Sequence, residues 1–341
     1  MNYMPPRRSD GTIQTERVRQ PWPADRPFRI LSIDGGGIRG ILPAAMLTEI
    51  ERRYLGNGSI TDHFDMIAGT STGGIIALGL AHGKKASEIL ELYTERGVSI
   101  FPPAGLIGKA VRAILQVRRS AYERAPLEAE LMRIFGSTVF GDAKIRLVIP
   151  TFEGVHGEPW IYKTPHHPDY KKDRHERMVR IALATTAAPT YFDAFENNGY
   201  RMIDGGVWAN NPVMNALVDA LACYEIKRHQ VRILSLGCGE KTFTVGDARA
   251  RGGMAQWVKV FDAAVRAQSQ NALGQAFLLV GKQNVLRLDS AASANPIALD
   301  NYTAAKERLP EEARSLVEAG GREVQRVFLT DRVDPFVPVL A

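Results

Sequence analysis

The stretch that most constrains this chain is residues 64–74, which read FDMIAGTSTGG. An apolar, strand-like run leads into it and an apolar, helix-like run follows it. Ser71 lies between Gly69 and Gly73, the Gly-x-Ser-x-Gly spacing of a nucleophile elbow. A serine at such a sharp turn needs a strained backbone, and flanking residues without Cβ atoms let strand and helix pass closely. The pattern also fits a plain glycine–serine turn that starts a helix, so the rest of the chain must decide.

Composition sets the class of protein. The chain has 341 residues, of which 45% are apolar and 23% charged, as in an ordinary soluble globular protein of one large α/β domain or two smaller ones. The net charge of +6 predicts an anionic partner: phospholipid headgroups, a nucleotide or nucleic acid. Because no dense basic block is present, nucleic acid is the least favoured of the three.

Cysteine content and hydropathy indicate the compartment. The two cysteines, Cys223 and Cys238, lie in apolar settings, so we expect neither a disulfide framework nor a cysteine-based zinc site. No run of 18 apolar residues is present, so we expect no transmembrane helix. Arg7 and Arg8 are followed by polar residues rather than by the apolar core of a signal peptide. We therefore expect a cytoplasmic protein.

The order of the remaining segments predicts an α/β fold. Residues 1–27 are rich in proline and charge, and we expect a flexible, extended N-terminal arm. Apolar strands then alternate with amphipathic helices, which predicts a mostly parallel sheet covered on both faces. Strands are predicted over 28–33, 145–152, 159–163, 200–203, 231–236 and 284–288, in addition to the elbow strand. Helices are predicted over 42–55, 87–99, 176–186, 212–224, 254–280 and 302–319, in addition to the elbow helix.

Three polar residues follow predicted strands directly: Asp34, Ser71 and Asp204. Ligands of parallel sheets bind at the carboxyl ends of the strands. We therefore expect these three side chains to lie near one another.

The run Asp34-Gly-Gly-Gly-Ile-Arg-Gly40 has two interpretations. It fits the dinucleotide-binding fingerprint, although the acidic residue expected about 20 positions later at a strand end is missing. Alternatively, consecutive glycines expose backbone N–H groups as an anion-binding nest. Beside a nucleophilic serine this nest is an oxyanion hole, in which each donor contributes about 3 kcal/mol to transition-state stabilisation. Gly36 and Gly37 are the expected donors, and Arg39 is expected to brace the loop.

A serine nucleophile needs a base. The histidines after Ser71 lie outside glycine-rich strand-end motifs, and we interpret all of them as surface residues: His82, His156, His166, His167, His175 and His229. Asp204 is the better base candidate because it ends an apolar strand and precedes two glycines. An Asx-turn or helix cap is the structural alternative for Asp204.

The histidines and aspartates of residues 166–175 invite comparison with a metal site. Their spacing matches no established ligand pattern, so a solvated charged loop is favoured and no metal is expected.

Together, these ordered motifs resemble those of the patatin-like phospholipases. The resemblance runs from Phe28 to Gly239, and the further segments 187–192 and 207–212 also look like family motifs. It implies a three-layer α/β/α fold over 28–341, with core motifs in 28–239 and a helical C-terminal part in 240–341. One departure is Cys238, where many family members have threonine; it leaves the catalytic assignment unaffected.

The resemblance also implies site residues. It carries over Ser71 as nucleophile and Asp204 as its partner in a Ser-Asp dyad without histidine. The oxyanion hole falls on Gly35, Gly36 and Gly37 with Arg39 beside them, and no cofactor is implied for catalysis.

Within the family, the length, residues 30–41 and the helical C-terminal part resemble one bacterial branch. These are phospholipase effectors of anti-phage systems of the CBASS type, which are activated by cyclic GMP-AMP. The resemblance implies a cyclic dinucleotide activator, 3′,3′-cGAMP, and membrane phospholipid as substrate at the inner face of the cell membrane. The sequence does not give the activator site, and a homo-oligomer stays among the alternatives.

Residues 106–117 offer a candidate for membrane contact. Apolar residues form one helical stripe, whereas Arg112 and its basic neighbours form another, as in helices that bind anionic interfaces. A helix that covers the sheet is the alternative.

Three functional hypotheses remain at this point: a nucleotide-activated phospholipase, a constitutive lipase or esterase of the same fold, and a non-enzymatic nucleotide-binding protein. Loss of activity in Ser71→Ala separates the third hypothesis from the other two. Dependence on a cyclic dinucleotide separates the first from the second.

Overall fold

The computed structural model of the chain describes residues 4–8, 17–103, 120–240, 242–246, 260–293 and 295–339. Within these residues, eight strands form one mixed sheet. In chain order the strands are β1 (Phe28–Ile33), β2 (Met66–Gly69), β3 (Arg146–Glu153), β4 (Glu158–Lys163), β5 (Phe195–Asn197), β6 (Tyr200–Asp204), β7 (Val231–Leu236) and β8 (Val285–Leu288).

The spatial order of the strands is β5-β6-β3-β2-β1-β7-β8, with β4 paired to β3 off this path. The pairings β3–β2, β2–β1, β1–β7 and β7–β8 are parallel. The pairings of β4, β5 and β6 are antiparallel. The prediction of a mostly parallel sheet is thus confirmed for its centre, and the antiparallel strands extend one side.

Helices cover both faces of the sheet. They are α1 (Ile41–Ile50), α2 (Thr72–Ala81), α3 (Ala86–Ile100), α4 (Ala125–Phe135), α5 (Met178–Thr185), α6 (Gly206–Ala209), α7 (Val213–Cys223), α8 (Val260–Val280) and α9 (Tyr302–Phe328). The sequence did not predict α4, and it predicted the end of α9 at residue 319. The predicted helix over 42–55 is α1 followed directly by a π-helical turn, Glu51–Leu55.

Two apolar cores enclose the sheet. In β1, Phe28 and Ile30 pack in the core formed with α7 and α8, whereas Leu31 and Ile33 pack in the core formed with α1–α5 and α9. Successive side chains of a strand point to opposite faces. Every residue of β1 is buried, which explains why this strand is a nearly continuous apolar run.

The expectation of a flexible N-terminal arm is wrong for its described residues. Gln20 pairs with Tyr224 in a parallel bridge, and the Trp22 ring lies 4.7 Å from that of Phe28. Nearer the start of the chain, Arg8 donates two hydrogen bonds to Asp173, at 2.7 and 2.6 Å. Tyr224 and Asp173 are far away in sequence from their partners, so local composition does not predict these two contacts.

Candidate active site

Ser71 lies at the turn between β2 and α2. Its φ of 55° is a positive value that residues other than glycine seldom adopt. A Cβ atom on Gly69 would lie 2.1 Å from the carbonyl oxygen of Gly73, and one on Gly73 would lie 2.3 Å from that of Ile33. Both glycines are therefore required by close backbone approach. The Ser71 N–H donates to Thr185 Oγ1 at 3.0 Å, which fixes the turn.

Sheet register brings Asp204 to Ser71. β2 pairs with residues 146–148 of β3, and β6 pairs with residues 151–153 farther along the same strand. Asp204, opposite Thr151, thus lies just beyond the point where β2 ends. The Ser71 hydroxyl donates to Asp204 Oδ2 at 2.6 Å, and both side chains are buried. The two residues singled out from the sequence are in direct contact.

The environment of Asp204 makes its carboxylate more basic. Burial raises the pKa of Asp204 to about 6, against the opposing effect of hydrogen bonds from Ser71 and from the Gly206 N–H, the latter at 2.7 Å. A carboxylate with this pKa is ionised at neutral pH and accepts a proton more readily than a surface aspartate does. Among the described residues, no histidine lines the cleft around the pair.

The three glycines after Asp34 differ in their hydrogen bonds. The Gly35 N–H donates to the carbonyl oxygen of Asn210 at 3.0 Å, which holds the start of the loop. Within the described part of the chain, no backbone carbonyl accepts from the N–H groups of Gly36 or Gly37. Both glycines line the cleft that contains Ser71. Free amides beside a serine are the arrangement that stabilises an oxyanion.

Arg39 lies across the glycine loop and braces it. Its Nη1 donates to the carbonyl oxygen of Gly239 at 3.0 Å, and its Nε approaches the carbonyl oxygen of Gly36 at 3.4 Å. The neighbouring Ile38 N–H donates to the carbonyl oxygen of Leu299 at 2.8 Å. The loop is therefore held from two sides by segments distant in sequence.

A buried ionic network beneath the loop was not predicted from the sequence. Arg287 of β8 donates from Nη2 to Asp34 Oδ2 at 2.6 Å and to Asp289 Oδ2 at 2.7 Å. Asp289 Oδ1 accepts from the Gly239 N–H at 2.8 Å. Burial raises the pKa of Asp34 to about 6, while Arg287 acts in the opposite direction. Arg287 lies in a strand far from every motif, so the sequence did not indicate that it pairs with Asp34.

Ser71 and Asp204 line a cleft of about 520 Å³. One part of its wall is apolar and is formed by residues of α3, α4 and the segment after α5: Leu92, Ile100, Phe101, Leu127, Tyr191 and Phe192. Another part is polar and is formed by Asn210, Glu240, Arg266, Ser269 and Asn295. The cleft is lined by both sets of residues, so it can hold an apolar group together with a polar one.

Comparison with known proteins identifies the family. A family model described as patatin-like phospholipase matches residues 31–217, more than half of the chain. The chain belongs to the patatin-like phospholipase family. It is accordingly a lipid hydrolase with the patatin fold, as the sequence motifs predicted.

Three bacterial relatives, each named cGAMP-activated phospholipase, are similar to this chain. The Vibrio cholerae protein is 33% identical over 81% of this chain and 86% of its own length. The Escherichia coli protein is 36% identical over 62% of this chain and 63% of its own length. The Pseudomonas aeruginosa protein is 37% identical over 66% of this chain and 65% of its own length. This patatin-like chain thus spans somewhat less than two thirds of the last two relatives.

The interpretation of all later histidines as surface residues is wrong for His166 and His167, which are buried. His166 Nε2 lies 2.6 Å from Asp219 Oδ2, and Lys163 Nζ lies 2.6 Å from Asp219 Oδ1. Burial would raise the pKa of Asp219, but these two partners hold it well below its usual range. The solvated-loop interpretation also fails at Asp173, which is buried.

Among the residues that the structure describes, one group of side chains of metal-ligand type is brought together: His166, Asp219 and Cys223 have ligand atoms within 4.8 Å of one another. Both Asp219 oxygens already accept hydrogen bonds, from Lys163, His166 and Tyr170. A bound lysine ammonium on the carboxylate opposes a cation there, so the residues present form an ionic network rather than a metal site. Cys223 and Cys238 are both free thiols.

The candidate membrane helix over 106–117 lies outside the described residues. Among the described helices, none is both long and apolar enough to cross a bilayer.

Proposed function

We propose that this chain is a serine acyl hydrolase that cleaves acyl esters of membrane phospholipids. The observation that carries the proposal is the 2.6 Å hydrogen bond between Ser71 Oγ and Asp204 Oδ2, beside free glycine amides in a cleft with an apolar wall. Ser71 is the nucleophile, Asp204 is the base, and the amides of Gly36 and Gly37 form the oxyanion hole. Gly35 and Arg39 hold that loop in position.

The first half-reaction acylates the serine. Ser71 Oγ attacks the ester carbonyl carbon while its proton passes to Asp204, and the tetrahedral oxyanion accepts hydrogen bonds from Gly36 and Gly37. Collapse of this intermediate expels the lysophospholipid alkoxide, which takes the proton from Asp204. In the second half-reaction water attacks the acyl-enzyme, Asp204 accepts its proton, and the fatty acid leaves as Ser71 regains a proton.

The finer assignment rests on the relatives. Their name, cGAMP-activated phospholipase, supports activation by a cyclic dinucleotide. The 3′,3′ isomer of cGAMP and a bacterial anti-phage response are the finer part of the proposal and follow from the resemblance of the sequence. We place the enzyme in the cytoplasm at the inner face of the cell membrane, in peripheral contact with phospholipid, as one patatin-like domain over 28–341 that follows the N-terminal arm. A homo-oligomer is part of the same proposal, because a bound nucleotide is able to join copies of the chain.

Fatty-acid release from phospholipid vesicles, measured with and without 3′,3′-cGAMP, tests both levels of the proposal. We expect release only with the nucleotide, and a loss of about 10⁴-fold or more in Ser71→Ala and Asp204→Asn, the size of the loss when a member of a Ser-His-Asp triad is removed. The exposed pair Ser315→Ala and Asp25→Asn supplies matched controls that should retain wild-type rates.

The outcomes separate the alternatives. Release without nucleotide that still needs Ser71 would keep the hydrolase and leave a constitutive lipase. Wild-type rates in Ser71→Ala would refute the catalytic assignment.

A further inference from the structure

The polar wall of the cleft has no part in the chemistry described above. Glu240 and Arg266 form an ion pair there, with Arg266 Nη1 at 3.2 Å from Glu240 Oε2. Gln270 Nε2 lies 2.8 and 2.7 Å from the two Glu240 oxygens. The side chains of Arg266 and Glu240 are 31% and 17% exposed, and both residues line the cleft that contains Ser71.

This wall is fixed relative to the glycine loop. Glu240 directly follows Gly239, whose carbonyl oxygen accepts from Arg39. Arg266 is on α8, and Gln268 of the same helix exchanges hydrogen bonds with both the N–H and the carbonyl oxygen of Asn211, at 3.1 and 3.2 Å. The adjacent Asn210 holds Gly35. Residues 210–211 therefore contact both the glycine loop and α8, the helix that carries Arg266.

A phospholipid ester bound at Ser71 has an apolar acyl chain and a polar alcohol part, and the two need different surroundings. Its acyl chain matches the apolar residues that line the cleft, and its alcohol arm, which carries the headgroup, matches the polar ones. A guanidinium binds a phosphate through a planar fork of donors, and a carboxylate accepts from an ammonium group. A positive and a negative group side by side thus complement a headgroup that carries both a phosphate and an amine. A partly exposed ion pair exchanges its partners at small cost.

We infer that Glu240 and Arg266 form a headgroup subsite that selects phospholipids with an ammonium group over acidic phospholipids without one. Arg266 binds the phosphate of the substrate, and Glu240 binds the amine. This inference rests on the proposed function, because it assigns the leaving arm of the same substrate. The phosphate class is shared with nucleotides, so the test also separates a lipid headgroup from the phosphate of an activator.

A competition assay within one membrane isolates the subsite. Vesicles contain equal amounts of phosphatidylethanolamine and phosphatidylglycerol with identical acyl chains, the assay contains saturating 3′,3′-cGAMP, and the two lysophospholipid products are resolved by mass. Both substrates share one surface, so binding to the membrane cancels from the product ratio. We expect an excess of lysophosphatidylethanolamine from the wild type. In Glu240→Gln the ratio should fall about tenfold or more, the range for loss of one charge-assisted contact, and Glu240→Lys should invert the preference.

Matched variants complete the design. Glu311 and Arg314 form a similar ion pair on α9, at 2.9 Å, so Glu311→Gln and Arg314→Gln should leave the ratio at the wild-type value. Arg266→Gln should slow hydrolysis of both lipids by a similar factor, because both contain the phosphate. A lower apparent affinity for 3′,3′-cGAMP in Arg266→Gln, without slower lipid hydrolysis at saturating nucleotide, would assign Arg266 to the activator and overturn the inference.

A separate readout distinguishes failure of the subsite from failure of the enzyme assignment. Hydrolysis of 4-nitrophenyl butyrate, which has no headgroup, should be lost in Ser71→Ala if the proposed function holds. An unchanged lipid ratio in both Glu240 variants, together with loss of all products in Ser71→Ala, would refute the headgroup subsite alone.

Discussion

At the scale of single residues, burial of Asp204 lowers stability at neutral pH but makes its carboxylate a stronger base. Its pKa is raised from the model-compound value of 3.8 to about 6 because the carboxylate is buried. The folded protein therefore binds this proton more tightly than the unfolded chain does, so the contribution of Asp204 to stability falls as the pH rises from about 4 to 6. Ionised Asp204 at neutral pH costs on the order of 3 kcal/mol, since each pKa unit is about 1.4 kcal/mol. That cost supplies the basicity that Ser71 needs.

The same pKa predicts the acid limb of the pH profile. Asp204 accepts the Ser71 proton only when it is ionised, so activity should fall as the pH drops through about 6. The measurement is kcat/KM for 4-nitrophenyl butyrate between about pH 4.5 and pH 8, a range that includes the expected midpoint near 6. Activity that stays nearly constant down to about pH 4.5, as an unperturbed pKa of 3.8 would give, would contradict the assignment of Asp204 as a buried base.

At the scale of elements, local signals fixed the type of each segment more reliably than its end. The sequence analysis predicted a helix over 302–319, and Gly320 and Gly321 directly follow that end. The helix instead continues to Phe328, since those glycines provide space for other parts of the chain: a Cβ on Gly320 would lie 2.6 Å from Leu288 Cδ2, and one on Gly321 2.7 Å from Tyr54 Oη. A glycine required by packing looks the same in sequence as a glycine that ends a helix.

Replacement by alanine should change stability in opposite directions at two helical glycines, Gly73 and Gly274. In Gly73→Ala the new methyl group would lie 2.3 and 2.7 Å from the backbone oxygens of Ile33 and Asp34. We therefore expect the free energy of unfolding to fall by about 2 kcal/mol or more and hydrolytic activity to be lost. In Gly274→Ala the methyl group has no neighbour within 4 Å among the described residues, so we expect a gain of about 0.5–1 kcal/mol. Chemical denaturation measures both changes, and equal effects would refute the close approach at the elbow.

At the scale of the whole molecule, the C-terminal part completes a site whose motifs all precede residue 240. Arg287 of β8 pairs with Asp34 at the end of β1, although β7 separates the two strands. Leu299, also beyond the motifs, accepts from the Ile38 N–H. The glycine loop thus derives its shape from the last third of the chain as well as from its own sequence.

The variant Arg287→Met tests this dependence. It leaves Asp34 buried without its cationic partner, a change that costs about 3–5 kcal/mol when one member of a buried pair is removed. We expect the free energy of unfolding to fall by about that amount and kcat for 4-nitrophenyl butyrate to fall about tenfold or more, because the loop loses its support. The double variant Asp34→Asn/Arg287→Met should recover part of the stability. Arg326→Met, on an exposed pair, serves as control; wild-type behaviour of Arg287→Met would contradict the role.

The sequence by itself determined the parts of this protein that are local. Alternating apolar segments indicated the α/β class, and the Gly-x-Ser-x-Gly run indicated the elbow, because a strained turn leaves room only for glycine at Gly69 and Gly73. The polar residues at strand ends indicated where Ser71 and Asp204 lie.

Only the tertiary structure decided what depends on long-range contacts. The antiparallel β6 reaches Ser71 through its register with β3, and strand direction is not encoded in a short apolar run. His166 and Asp173 are buried because partners distant in the chain cover them, although their neighbours are charged. Arg287 and the pair Glu240–Arg266 have no motif at all. Their positions follow from the packing of strands and helices, which no local stretch of sequence contains.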